Sequence, residues 1–238
     1  MSNTGIEWTD ETWNPVTGCS KRSPGCKNCY AEKFARRLKA MGSAKYKNGF
    51  SVETHQEELD RPLSWKKARM VFVNSMGDLF HEEVSLDFIK DCFEVMNKKE
   101  EHIFQVLTKN SKRLKKIQGE LKWTENILMG VSIENSDYIW RRDDLVEMDA
   151  EIKFISFEPL LGSVKDCSLD NIDWVIAGGE SGAKARKLKK EWIIEIRNKC
   201  VDKDIPFFFK QWGGHNSRTK DRKLEGRTWD QKPLSLVK

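Results

Sequence analysis

The sequence predicts an α/β fold: an incomplete or distorted parallel (β/α) barrel of about six to seven strands. Two observations carry that expectation. From about residue 70 onward, short apolar, β-prone segments recur every roughly 20–35 residues, and stretches of helical periodicity lie between them. Strands alternating with helices in this way make successive right-handed βαβ units, and hence a parallel sheet. A doubly wound open sheet is the competing arrangement.

A short strand before Cys19 opens the series, and residues 41–68 read as an insertion with a short helix. The strands that follow are Met70–Asn74, Ile103–Leu107, Ile127–Val131, Ile152–Ser156, Trp174–Ala177 and Phe207–Phe209. Each is a near-continuous apolar run, as expected of strands buried on both faces. Ser85 is placed to cap a helix that carries Phe88, Ile89, Cys92, Phe93 and Met96 on one face. A second helix opens at Asn110 or Ser111, carries Leu114 and Ile117, and closes at Gly119. A third starts at Ser136 and runs through Ile139, Leu145 and Met148. The fourth, from about Lys190 to Lys203, has Ile193, Ile194, Ile196, Cys200 and Val201 as its apolar stripe. Residues 1–214 thus form one domain, followed by a polar, basic, loop-like tail over 215–238.

Hydrophobic residues make up 38% of the chain and charged residues 33%, a balance that suits a folded globular protein rather than a disordered one. The longest apolar runs, such as Trp174 to Ala177 and Pro206 to Phe209, are far too short to span a bilayer. Glu7, Asp10 and Glu11 fall where a secretion signal needs an apolar stretch. The expected address is the cytoplasm, with no membrane partner. A net charge of +5 permits nucleic-acid binding without demanding it. Basic residues gather at Lys109–Lys122, Arg186–Lys190 and Arg218–Arg227, although such runs are commonly solvated helix faces or loops.

In either α/β architecture, ligands sit at the carboxyl ends of the parallel strands. The unusual residues of this sequence cluster there: Asn74, Ser75 and Asp78; Thr108 and Lys109; Ser132 and Glu134; Glu158; Gly178, Gly179 and Glu180; Lys210 and Trp212. Strand ends meet water and are often polar, but so many in succession point to one shared pocket. Gly178 and Gly179 would let backbone amides approach an anion at a helix start. Glu158 and Lys210, the candidate catalytic pair, either bind substrate or form a structural ion pair. Glu134 has Lys109 and Arg141 as alternative partners, and Trp212 either stacks on a base or covers the rim.

Between Gly18 and Tyr30, Cys19, Cys26 and Cys29 place three thiols within eleven residues, and Pro24-Gly25 supplies a turn that can make them converge. An odd cluster in a reducing compartment argues against disulfides and for a metal centre. A structural zinc site needs four ligands, and no fourth cysteine or histidine lies nearby, although folding could recruit His55 or His81. A [4Fe-4S] cluster on three thiolates keeps one iron open. Three unligated structural cysteines are the remaining reading. Cys92, Cys167 and Cys200 stand singly and are expected to serve as small hydrophobes.

A three-cysteine loop after the first strand of such a barrel resembles the radical S-adenosylmethionine (radical SAM) superfamily. The wider sequence is similar to a phage-associated, radical SAM-like family with a three-cysteine motif. The likeness runs through Trp13 to Cys19, Pro24 to Ala31, Phe72 to Phe80, Phe104 to Lys109, Gly130 to Glu134, Glu158 to Gly162, Gly178 to Gly182 and Phe208 to Gly213. The sequence departs from the commonest superfamily pattern in two ways. Six residues rather than three separate Cys19 from Cys26, and Asn28 rather than an aromatic precedes the last cysteine.

The resemblance implies a [4Fe-4S] cluster on the three thiolates and S-adenosylmethionine chelated at the open iron. Reduction by an electron donor would then cleave the sulfonium to a 5′-deoxyadenosyl radical. It also implies that Asn74, Ser75 and Asp78 accept from the methionine ammonium and that Ser132 and Glu134 hold the ribose. The substrate is open, with nucleic acid or a nucleotide motivated by the basic tail and by Lys109, Lys210 and Arg186. Two other functions compete: a zinc-stabilised nucleic-acid-binding protein that stacks bases on Trp212 and Trp229, and a non-catalytic iron–sulfur redox partner.

Overall fold

In the computed structural model, which describes residues 4–214 and 222–233, the apolar runs become strands of one sheet. The first nine strands among the described residues are β1 (Glu11–Trp13), β2 (Val16–Thr17), β3 (Glu53–Thr54), β4 (Met70–Val73), β5 (Ile103–Thr108), β6 (Ile127–Ser132), β7 (Lys153–Phe157), β8 (Trp174–Gly178) and β9 (Phe207–Gln211). Seven of them pair in the order β1-β4-β5-β6-β7-β8-β9, every pair parallel, and curl into an open half-barrel. The helices are α1 (Tyr30–Ala40), α2 (Leu86–Lys98), α3 (Ser111–Ile117), α4 (Trp140–Val146) and α5 (Lys190–Asp202). Ser85 caps α2 as its sequence suggests, its hydroxyl accepting from the Phe88 amide at 3.2 Å.

Both faces of the sheet are buried, and alternation along each strand sorts the side chains between them. Val71, Val106, Ile155, Val175 and Phe209 face outward into the core shared with α2–α5. Phe72, Leu128, Phe154, Trp174, Ile176 and Phe208 face inward. Trp8, arriving ahead of β1, joins this inner set with its ring 4.6 Å from Phe72 and 6.2 Å from Trp174. This aromatic layer fills the amino-terminal end of the half-barrel. Gly130 belongs to the same layer for a steric reason: a Cβ there would stand 2.5 Å from the Phe154 ring.

Three segments differ from expectation. α1 has no counterpart among the expected helices, because its packed side is small: Ala31 and Ala35 are buried and Leu38 partly so. Residues 41–68 contain three 3-10 turns, at Ala44–Tyr46, Gln56–Glu58 and Arg61–Ser64, instead of a helix, while β3 pairs antiparallel with β2. The expected basic tail is also partly domain. Lys223–Leu224 (β10) and Arg227–Thr228 (β11) form a hairpin that buries Leu224 and Trp229 in the outer core. Trp229 packs 5.9 Å from Phe207, and its carbonyl accepts from the Phe209 amide at 2.8 Å. Two apolar residues among polar neighbours suffice to dock the segment, so Trp229 is no exposed stacking platform. The rest of that expected tail, 215–221 and 234–238, lies outside the described residues. Among the described residues, no helix is long and apolar enough to cross a membrane.

Candidate metal centre at the strand ends

The same alternation that builds the aromatic layer places polar residues above it. Two residues beyond Phe154 on the inner face comes Ser156, then Glu158; two beyond Phe208 comes Lys210. These side chains, with Ser132 and Lys109, wall a cavity of ≈ 210 Å³ whose floor is Trp8, Phe72 and Leu107. Cys19, Cys26, Cys29 and Tyr30 line its other side.

Backbone constraints fix the cysteine loop at its root. Gly18 has φ +82°, and a Cβ there would lie 2.0 Å from the Ser51 carbonyl oxygen, so only glycine fits. Pro24–Cys26 makes the turn that the sequence suggests, and Cys29 occupies the N-cap of α1. Burial pushes the Cys19 thiol up to about 12, with the Asp78 carboxylate adding to the effect. Burial likewise raises Cys29, although the Glu32 and Ala31 amides favour its thiolate. Neighbouring thiolates add a smaller push to both shifts. Cys19 Sγ donates to the Ser20 carbonyl at 3.3 Å, and Cys26 Sγ lies 3.7 Å from the Ser23 hydroxyl. Among the described residues, no three histidine, cysteine, aspartate or glutamate side chains are drawn together closely enough to hold a metal ion as they stand.

Two buried carboxylates clamp the loop. Glu134, fully buried, lies 2.9 Å from Lys109 and 3.0 Å from Arg141 and accepts from the Ser23 hydroxyl at 2.6 Å. Both partners left open by the sequence are therefore used. Burial works to raise the Glu134 carboxyl, but Lys109, Arg141 and Ser23 outweigh it and hold it below the usual range. Glu180 accepts from Asn28 at 3.0 Å and from the Arg186 amide at 2.9 Å, and its other oxygen takes the Arg186 guanidinium. Arg186 in turn donates to the Pro24 carbonyl at 2.9 Å. Ser23 is a site residue that sequence reasoning does not single out, and Asn28 stands out there only as a departure from a pattern, because their roles depend on contacts far along the chain.

The other expected site residues stand as follows. Glu134 is engaged by Lys109, Arg141 and Ser23, clamps the cysteine loop and does not line the cavity, whereas Ser132 does line it. Gly178 and Gly179 do not open a helix, and Gly179 lines the cavity. A Cβ on Gly178 would stand 3.0 Å from Glu158 Oε1 and 3.3 Å from Lys210 Cβ, and one on Gly179 would stand 2.3 Å from the Trp212 carbonyl. Both glycines make room, and the next helix begins only at Lys190. Glu158 and Lys210 do pair, at 3.1 Å, and both face the cavity. Trp212 packs on Phe209 at 4.8 Å and donates to the Lys223 carbonyl, which makes it a rim cover.

At the end of β4, Asp78 accepts from Thr108 at 2.8 Å and from the Lys109 and Phe80 amides at 3.1 and 3.0 Å. Ser75 gives its carbonyl to the Tyr30 hydroxyl at 2.5 Å. Asn74 adopts φ 59° and is only 3% exposed. Its Oδ1 accepts from the Val16 amide at 3.0 Å, which fixes the orientation of the group, and its Nδ2 has no partner among the described residues. Asn74 lines the cavity, so this end of the site holds a buried amide donor. His55 and His81 are bonded to Thr17 and Ser20, each at 2.8 Å, and neither lines the cavity. Cys92, Cys167 and Cys200 are buried in the outer core, as small hydrophobes should be.

A family model described as "Protein of unknown function (DUF5131)" matches residues 3–233, and the chain belongs to that family. Among curated proteins, none matches the sequence. A solved structure of spore photoproduct lyase complexed with dinucleoside spore photoproduct is similar in fold, with a TM-score of 0.50 at 9% identity. The likeness covers 78% of this chain and 59% of that one, so this chain spans under two thirds of the protein it matches.

Proposed function

We propose that this DUF5131 family member is a radical SAM-type enzyme: Cys19, Cys26 and Cys29 hold a [4Fe-4S] cluster, and the cavity receives S-adenosylmethionine. The observation that carries this is the shared location of the three thiols. All of them, from one loop, line a single cavity at the carboxyl ends of a parallel half-barrel. The fold likeness to a spore photoproduct lyase, a member of the superfamily that the loop resembles, supports the reading. So does the donor chemistry. Three thiols without a histidine in the cavity suit an open cluster better than a closed zinc site.

When bound, the two groups supply one-electron cleavage of the sulfonium and hence a carbon-centred radical, which requires an electron donor. The chain supplies the rest. Glu134 and Glu180 hold the loop in place, so that the thiols need only lose their protons and turn inward. Asn74 Nδ2 is the donor available to a carboxylate of the bound ligand. Ser132 is placed to bind a ribose hydroxyl, and the aromatic floor keeps water out from below. The Glu158–Lys210 pair orients the substrate at the mouth and offers it a proton donor and an acceptor.

Anaerobic reconstitution with iron and sulfide, followed by a reductant and S-adenosylmethionine, is expected to release 5′-deoxyadenosine. Reversible cluster reduction with no such product would instead make the protein a redox partner. Stoichiometric zinc with salt-sensitive nucleic-acid binding would make it a zinc-stabilised binding protein.

A further inference from the structure

The cations expected to meet a nucleic acid are occupied: Lys109 pairs with Glu134, Lys210 with Glu158 and Arg186 with Glu180. A different surface is not. α1 begins one residue after Cys29, and its packed side rests on Ala31 and Ala35 beside Tyr46 and Met76. The adjoining side carries Tyr30, Lys33, Phe34 and Arg37, with Met41 just past its end. The spacing i, i+3, i+4, i+7 and i+11 puts all five on one face. Tyr30 is 53% exposed, Phe34 48% and Met41 69%, so large apolar surface here faces water. Lys33 and Arg37 are exposed and form no ion pair among the described residues, because the nearby Glu32 is taken by Arg36 and Lys21.

Aromatic rings alternating with unpaired cations are what a single-stranded polynucleotide requires: faces for its bases and positive charge for its phosphates. Tyr30 and Phe34 are one turn apart, about 6 Å along the axis, close enough for successive bases. The stripe also has a direction. Tyr30 lines the cavity and is held at its mouth by the Ser75 carbonyl, while Phe34, Arg37 and Met41 lead away from it. Lys33 reaches the segment at Gly182, where Lys184 and Lys187 are also exposed. The face is therefore positively charged along its length, matching a polyanion rather than a neutral protein groove.

We propose that the exposed face of α1 is a platform for single-stranded nucleic acid, with bases stacked on Tyr30 and Phe34 and phosphates on Lys33 and Arg37. A strand lying on it would present one nucleotide to the cavity. This names the substrate class of the proposed radical SAM site and rests on that reading for its catalytic meaning, but binding itself does not.

The test is fluorescence anisotropy of the full-length reconstituted protein with labelled mixed-sequence 20-nucleotide DNA and RNA strands at about 50 and 200 mM salt. Single strands are expected to bind with affinity that falls as salt rises, and more tightly than a duplex of the same sequence. Phe34→Ala should weaken binding about tenfold. Lys33→Glu with Arg37→Glu should weaken it at least as much and flatten the salt dependence, with iron content and circular dichroism unchanged in both variants. Variants that bind as wild type, equal affinity for duplex, no oligonucleotide binding, or binding to anionic lipid vesicles alone would each overturn the platform. Protein that binds the strands but takes up no iron on reconstitution would count against the cluster and leave the platform standing.

Discussion

Glu134 illustrates how a residue can be visible in a sequence while its role is not. A carboxylate at the end of a strand marks a site, but Lys109 lies on the preceding strand end and Arg141 on the following helix. Only the assembled strands show that both converge on it, together with Ser23 from the cysteine loop. The three cysteines were legible as a set because an odd cluster of thiols has few other uses. Asn74 was legible as a site residue, but its polarity was not, because the Val16 amide that claims its oxygen comes from elsewhere in the chain. Replacing Glu134 by Gln leaves Lys109 and Arg141 facing a neutral group, with Arg141 almost fully buried. The expected loss is about 3 kcal/mol in urea denaturation, accompanied by lower iron retention. An unchanged midpoint would show that the pairs carry no net stability.

Among the elements, buried strands announce themselves because continuous apolar runs of this length have few alternatives, and every strand of the sheet from residue 70 onward falls where such a run stands. α1 did not announce itself. A helix that packs through Ala31, Ala35 and a partly buried Leu38 offers little bulk on its inner side, while Phe34 lies exposed. The stretch between β7 and β8 crosses without a helix, burying Leu160, Val164, Cys167 and Leu169 instead. Within the sheet, Gly130 and Trp8 test the aromatic layer. Gly130→Ala forces a methyl against the Phe154 ring and should cost about 1–3 kcal/mol. Trp8→Ala empties the floor of the cavity and should cost about 3–5 kcal/mol. Chemical denaturation measures both, and a cost below about 0.5 kcal/mol for either would show that the layer yields or is not filled as described.

For the whole molecule, burial ties stability to pH. His55, His81 and His102 are all held below their ordinary value, in each case chiefly by burial. Folded, they bind fewer protons than unfolded, so stability falls as pH drops through about 6.5. Burial opposes ionisation of Glu58, Glu134 and Glu180, yet their cationic or hydrogen-bonding partners hold them below the usual carboxylate range. Their contribution is present above about pH 4.5 and is lost below it. The denaturation midpoint should therefore be nearly flat from about pH 7 to 8 and fall in two stages toward pH 4. A midpoint that rises on acidification would contradict these burials. The docked hairpin belongs to the same scale. Trp229→Ala should cost about 3 kcal/mol by the same measurement, whereas a true tail would tolerate it without change.

The most direct measurement is the iron and sulfide content of protein purified without oxygen, for the wild type and for Cys19→Ala, Cys26→Ala and Cys29→Ala. About four irons and four sulfides per chain are expected in the wild type, with a comparable loss in each variant. Stoichiometric zinc in the wild type, or any one variant that keeps its full iron, would contradict a single cluster held by the three thiols.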